Sequence, residues 1–174
     1  EQGQYTAVRA LLAEGYRRPL CLHLPEGHLA TTRRRQGLER ACREAGLDPD
    51  GLEHCYMALG DEHYRDIPAV LLAHMQNGIP RFDAVICGND RIAFMVYQTL
   101  LGQGLRIPDD VAVIGYDNMV GIGELFLPPL TTVQLPHYEI GRLSALHIIN
   151  GEEHQETTRV ESPFLLRDSV AQAT

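Results

Sequence analysis

Positive charge is scarce in this sequence: 15 basic residues stand against 23 acidic ones in 174, giving a formal net charge of -8 and a pI near 5.4. Chains that grip nucleic acid usually carry a basic face, so direct DNA binding by this segment is not expected. The one basic run, Arg33-Arg34-Arg35, is short and reads as a helix face with one inward arginine. Paired cysteine spacing is also missing. Cys21, Cys42, Cys55 and Cys87 form no CxxC, which argues against a zinc or redox motif. Three of them sit in apolar, strand-like surroundings, as buried free thiols of a reducing cytoplasm would. No apolar run approaches the roughly 20 residues of a membrane span. Glu1-Gln2-Gly3 does not open a signal peptide, and an abrupt start without methionine reads as a piece of something longer.

Enzyme signatures are absent too. No GxGxxG follows a strand-like run, since Leu24 leads into Pro25-Glu-Gly-His28. There is no Walker lysine motif, no serine nucleophile elbow and no His-Glu-x-x-His. Asp61-Glu62-His63 is the only stretch hinting at a metal, and three consecutive residues do not easily converge on one ion. Neither an enzyme, a cofactor nor a metal is expected.

What is present is globular composition, 44% hydrophobic and 22% charged, at the length of one ordinary domain. Apolar residues at helical spacing predict a helix through Ala7, Leu11, Leu12 and Tyr16, with Gly15 as a stop. Further helices are predicted over Thr31 to Ala45, Ile67 to Gln76, Asp90 to Gln103 and Tyr138 to Asn150. Strand-like runs cover Pro19 to Leu24, Glu53 to Leu59, Asp83 to Cys87, Val111 to Tyr116 and Thr131 to Leu135, with extended chain from Arg159 to Leu166. Strands alternating with helices imply βαβ units. The fold class is α/β, an open and mostly parallel sheet with helices on both faces. In such sheets ligands bind beyond the carboxyl ends of the strands, here the loops after Leu24, Leu59, Cys87 and Tyr116.

Two of those loops carry polar groups. Gly88-Asn89-Asp90 opens a helix, where either side chain can cap a backbone N–H. The amide of Asn89 both donates and accepts, which suits a polyhydroxylated ligand. Asp117, after Gly115-Tyr116, is either a loop cap or an acceptor for two sugar hydroxyls.

These segments form an ordered series. Val85-Ile-Cys-Gly-Asn-Asp-Arg-Ile-Ala93 is followed by Gly104-Leu-Arg-Ile-Pro-Asp-Asp-Val-Ala-Val-Ile-Gly-Tyr-Asp-Asn118 and then by Pro128-Pro-Leu-Thr-Thr-Val133. Gly15-Tyr-Arg-Arg18, Arg34-Arg-Gln-Gly37 and Leu165-Leu-Arg-Asp-Ser-Val170 flank them. Together they resemble the effector-binding domain of the lactose-repressor (LacI/GalR) family over nearly the whole chain. The resemblance implies a periplasmic-binding-protein-like architecture, with mainly the C-terminal subdomain present. Residues 1–136 would form that subdomain, 137–155 a crossover helix belonging to the mostly absent N-terminal subdomain, and 156–174 a return strand and tail. The crossover helix would then need repacking, or burial against another chain.

By the same resemblance, Arg34, Asn89 and Asp117 would contact an effector, Tyr64 would stack on it within the window Glu62-His63-Tyr64, and His28 would sit in a ligand-reading loop. The family's usual crossover glutamine is Leu135 here; Gln134, one place early, should point to the opposite strand face. The apolar loop Met119 to Pro129 folds onto its own domain or forms a dimer surface, with Ile92, Met95, Val96, Leu100, Leu125 and Phe126 contributing. The implied function is effector sensing and dimerisation in a cytoplasmic DNA-binding regulator of the repressor type. Its partners would be a sugar or sugar phosphate and, through a headpiece outside this chain, operator DNA. A periplasmic sugar-binding protein of a transporter is the alternative, which free cysteines fit poorly.

Overall fold

The computed structural model describes residues 1–58, 61–119, 121–151 and 157–171, with the backbone alone for 61–63. The elements run α1 (Gln2–Ala13), β1 (Pro19–His23), α2 (Leu29–Glu44), β2 (Glu53–Tyr56), α3 (Ile67–Ala73), β3 (Met75–Gln76), β4 (Ile79–Pro80), β5 (Ala84–Cys87), α4 (Asp90–Gly102), β6 (Ala112–Ile114), β7 (Thr132–Val133), α5 (His137–Asn150) and β8 (Phe164–Leu165). Four strands form a parallel sheet in the order β2-β1-β5-β6. Parallel bridges Ile114–Thr131 and Asp117–Gln134 extend it towards β7.

Both faces of the sheet are covered, which is why its strands read as unbroken apolar runs. Leu20, Leu22, Val85, Cys87 and Val113 pack on one side with Ile67 and Leu71 of α3 and Ile92, Val96 and Leu100 of α4. Cys21, Ala84, Ile86, Ala112 and Ile114 face the other side, against Ala7, Val8 and Leu11 of α1 and Leu38 and Ala41 of α2. The α/β architecture with helices on both faces is therefore present as expected. α1 crosses α2 closely enough that a Cβ on Gly37 would lie 2.2 Å from the Glu1 carbonyl oxygen, so the glycine of Arg34-Arg-Gln-Gly37 is a packing requirement.

Most differences from the expected elements are at ends. β2 stops at Tyr56, and Leu59 lies outside the described residues. α3 ends at Ala73 rather than Gln76 because Met75–Gln76 turns back on Ile79–Pro80. Asn77 and Gly78 both have positive φ, 52° and 77°, the pair a tight two-residue hairpin turn demands.

The tail is tied firmly. Ser169 Oγ donates to the Val113 carbonyl at 2.6 Å and accepts from Thr131 N–H at 2.8 Å. Arg167 Nη1 donates to the Leu130 carbonyl at 2.7 Å and to Asn118 Oδ1 at 3.3 Å. The motif Leu165-Leu-Arg-Asp-Ser-Val170 thus staples β6 to β7. The repacking expected of α5 does not occur, since α5 buries none of its residues. Tyr138, Ile148 and Ile149 are among its exposed side chains. Leu135, Pro136 and Val160 border a shallow hollow with Ile140 and Leu143 of α5 without burying them.

Candidate functional site

The carboxyl ends of β5, β6 and β7 open onto a cleft of about 810 Å³, lined by Asn89, Asp117, Asn118, Gln134, His137 and Glu161 together with apolar residues such as Leu135, Pro136 and Val160. A mostly apolar concavity with a few convergent polar groups is the usual form of a small-molecule site.

Among its lining residues Asp117 is held by Arg34, a residue outside the lining itself. α2 carries this side chain over the sheet, and its guanidinium carbon lies 3.7 Å from the centre of the Tyr116 ring. Nη1 donates to the Gly88 carbonyl, and Nη2 donates to Asp117 Oδ1 at 3.2 Å. One planar fork therefore joins the mouths of β5 and β6, a task for which an ammonium lacks the geometry. Asp117 has φ of 109°, a region costly for a side-chain-bearing residue, and such strain concentrates at functional sites. Burial pushes the Asp117 carboxyl above the usual carboxylate range, while Arg34 pulls it back. Tyr116 is also raised by burial and opposed by Arg34.

Asn89 does two things at once. Its Oδ1 caps α4 by accepting from Ile92 N–H at 2.9 Å. Its Nδ2 donates to the Tyr64 hydroxyl at 3.1 Å. Asp90, one residue on, is buried and structural: Oδ1 accepts from Thr132 Oγ1 at 2.7 Å and Oδ2 from Met119 N–H at 3.0 Å. Burial raises its pKa despite those bonds. Gly115 must be glycine beside it, because a Cβ there would come 2.3 Å from Asp90 Oδ1.

Arg34 is thus paired with Asp117 and Asn89 with Tyr64, as two separate bonded pairs. Tyr64 itself borders an adjoining hollow of about 370 Å³ with Phe94, Met95, Met119 and Ile122. The side chains of Glu62 and His63 lie outside the described residues. His28 stands apart: it is exposed at the N-cap of α2, makes no capping bond with its side chain, and does not line the cleft.

Two expectations need correction. Gln134 was expected to face away from the ligand side, yet it borders the cleft beside Leu135 and accepts from Asn118 Nδ2 at 3.3 Å. Past the end of β7 at Val133, Gln134 is held by an isolated bridge to Asp117, and Asn118 draws its amide to the cleft side. The dimer residues divide as well. Ile92, Val96 and Leu100 are fully buried in the core, and Phe126 packs edge-on against Tyr97 at 4.8 Å. These four have little surface to offer a second chain: α4 turns the first three towards the sheet, and Phe126, in the loop before β7, packs against Tyr97. Leu125 is 80% exposed, Leu127 82%, and Phe94 and Ile122 are also exposed.

Sequence reasoning missed Asn118, His137 and Glu161 as cleft residues. Asn118 carried a signal, being polar and next to Asp117 at a strand mouth. Glu161 carried none, because it arrives from an extended segment with no periodicity.

Comparison with known proteins identifies the family and the fold. The family of periplasmic binding proteins and sugar-binding domains of the LacI family matches residues 1–168. The sucrose operon repressor of Escherichia coli is 57% identical over 167 residues, covering 96% of this chain and 50% of that protein. The ribose operon repressor of Escherichia coli (strain K12) is 34% identical over 172 residues, covering 95% and 49%. A crystal structure of a LacI family transcriptional regulator from Enterococcus faecium with bound ribose superposes with a TM-score of 0.82 at 30% identity, covering 98% of this chain and 62% of that one. This chain spans about half the length of the two repressors it matches. It belongs to the family of periplasmic binding proteins and LacI-type sugar-binding domains.

Proposed function

We propose that this chain is the effector-sensing part of a LacI-type transcriptional repressor, and that its effector is an uncharged sugar. The observation that carries the reading is the Arg34–Asp117 pair at the strand mouths, strained at Asp117 and locked by Tyr116. Because Asp117 Oδ1 is engaged by Arg34, its second oxygen is left to accept from a ligand hydroxyl. Two of the five N–H groups of Arg34 bond Gly88 and Asp117, and the side chain is 13% exposed and does not line the cleft, so it positions a carboxylate rather than holding a phosphate. That favours a sugar over a sugar phosphate. The 57% identity to a sucrose operon repressor supports a sugar of that class. The transporter-linked alternative gains nothing from relatives that are repressors, and a cytoplasmic location goes with the repressor reading.

In this reading residues 1–136 form one wall of the cleft, α5 within 137–155 crosses to a second subdomain, and 156–174 returns. The unburied apolar side chains of α5 are what such a crossing helix would present. Operator DNA is contacted by a headpiece outside this chain, and effector binding shifts the balance between DNA-competent and incompetent forms. The dimer surface is formed by Phe94, Leu125 and Leu127 with Met95 at its edge. Leu125→Asp with Leu127→Asp should halve the sedimenting mass of the full-length protein, and an unchanged mass refutes that surface.

The sensing role is tested by thermal melting of the full-length protein against sucrose, other neutral sugars and sugar phosphates. Binding raises Tm by mass action. A neutral sugar should raise it and release operator DNA. Asp117→Asn should remove both effects. A response confined to sugar phosphates overturns the assignment.

A further inference from the structure

Away from the Arg34–Asp117 pair, at the sheet edge, β1 and β2 place Cys21 directly opposite His54 and His23 opposite Tyr56. Residues two apart on a strand share a face, so Cys21 and His23 point the same way. The donor atoms of Cys21, His23 and His54 all lie within 4.8 Å of one another. We propose that Cys21, His23 and His54 form a three-residue binding site for a borderline-soft divalent cation, Zn2+ above all.

The two imidazoles already meet nitrogen to nitrogen, through a hydrogen bond that a cation would replace. His23 Nε2 is 2.8 Å from His54 Nδ1, and their rings are stacked at 9° with centroids 5.1 Å apart. His54 Nε2 lies 2.9 Å from the Pro49 carbonyl oxygen, which can only accept. The hydrogen on His54 is therefore assigned to Nε2, and Nδ1 is left with a lone pair. A ligating histidine typically donates its other ring N–H to such a carbonyl. On its outer side His23 stacks on Tyr56 at 4.8 Å, which fixes its ring plane.

Zinc–nitrogen bonds of about 2.0–2.1 Å and zinc–sulfur bonds of about 2.3 Å put tetrahedral donors roughly 3.3–3.7 Å apart. The two nitrogens must then open by about half an ångström and the sulfur must close by about one, within the reach of side-chain rotation. One thiolate with two imidazoles selects zinc over calcium or magnesium. Water completes the fourth position.

The protons balance. The hydrogen on His23 Nε2 moves to its Nδ1, keeping the ring neutral, and the Cys21 thiol releases one proton to solvent as its sulfur bonds the ion. Burial, then His54 and Arg35, hold His23 down to about 4, with Glu39 opposing them. The ring is thus neutral and available at physiological pH. Burial raises the Cys21 thiol, so the thiolate forms only when the cation arrives, as a coordinating metal enforces. Cysteine spacing along the chain gave no hint of this, because the site is assembled by strand register rather than by a CxxC. Its consequence is to clamp β2, an edge strand with one neighbour, to the centre of the sheet beside the loop that leads into α2.

The test uses the full-length protein stripped with a chelator and titrated with Zn2+ alone and, separately, with Co2+. The expected result is one Zn2+ per chain, a Tm that rises with Zn2+ concentration, and a thiolate-to-cobalt charge-transfer band. Cys21→Ser should abolish the band and weaken Zn2+ binding at least about 100-fold, above the 10–100-fold typical of supporting residues. Cys55→Ser, on β2 but packed on the other face of the sheet, should leave both unchanged. His54→Gln, at a half-buried position, should weaken Zn2+ binding as strongly, and it decides the matter if Cys21→Ser does not fold. The proposal is overturned by substoichiometric Zn2+ in the unmodified protein, by a band that survives Cys21→Ser or is lost in Cys55→Ser, or by His54→Gln binding Zn2+ normally.

Discussion

Replacing Arg34 with alanine removes the fork that joins two strand mouths, and its cost follows from what is left behind. The side chain is 13% exposed and that of Asp117 is 25% exposed, so solvent screens the pair only partly. A hydrogen bond to a charged group contributes about 1.5–3 kcal/mol net, and stacking on Tyr116 adds about 1 kcal/mol. These do not sum fully, because one bond ends on a backbone carbonyl that water can reach through the vacated space. A loss of about 3 kcal/mol is expected, which at a typical urea m-value near 2 kcal/mol/M lowers the midpoint by about 1.5 M. The penalty also depends on pH. Burial already holds the Asp117 carboxyl above its ordinary value against the pull of Arg34; without Arg34 it rises further. The folded state then keeps a proton that the unfolded state has released, so stability falls as pH rises above the unfolded-state value of about 3.9 and returns as pH falls towards it. Urea melts at pH 7 and near pH 4.5 should therefore show the larger defect at pH 7. Arg34→Ala combined with Asp117→Asn should recover part of it. A defect of the same size at both pH values, with no recovery in the double variant, refutes the pairing as the source of the energy.

Asn89→Ala should cost about 1–2 kcal/mol through loss of the α4 cap, and sugar affinity should fall with it because Tyr64 loses its hydrogen bond; chemical denaturation and a binding titration read the two effects separately. Gly115→Ala should destabilise by about 2–3 kcal/mol, since its Cβ collides with Asp90 Oδ1, and Asp90→Asn should not relieve the clash. Ile148→Ser with Ile149→Ser should change the stability of this chain by under about 0.5 kcal/mol each, both being exposed here, yet destabilise the full-length protein by several times that; equal small effects in both would remove the case for a crossing helix.

The sequence by itself determined the alternation of strands and helices, both apolar faces of the sheet, and the strand-end rule that singled out Asn89 and Asp117. Those properties are local: apolar periodicity and glycine stops act over a few residues, and the motifs from Val85 to Val133 are contiguous. The hairpin at Asn77-Gly78 was missed, because the helical pattern before it ran on to Gln76 and hid the turn. Tertiary structure decided which side of each element faces what. Ile92 and Phe126 look alike to Leu125 in sequence, but only packing shows that the first two fill the core and the third meets water. Only packing turned Arg34 from a candidate effector contact into the group that fixes Asp117, 83 residues away. The same holds for Cys21, His23 and His54, which share a face because parallel strands paired in one register. Contacts of that kind depend on distances between remote segments, and a linear chain carries no record of those distances until the sheet has closed.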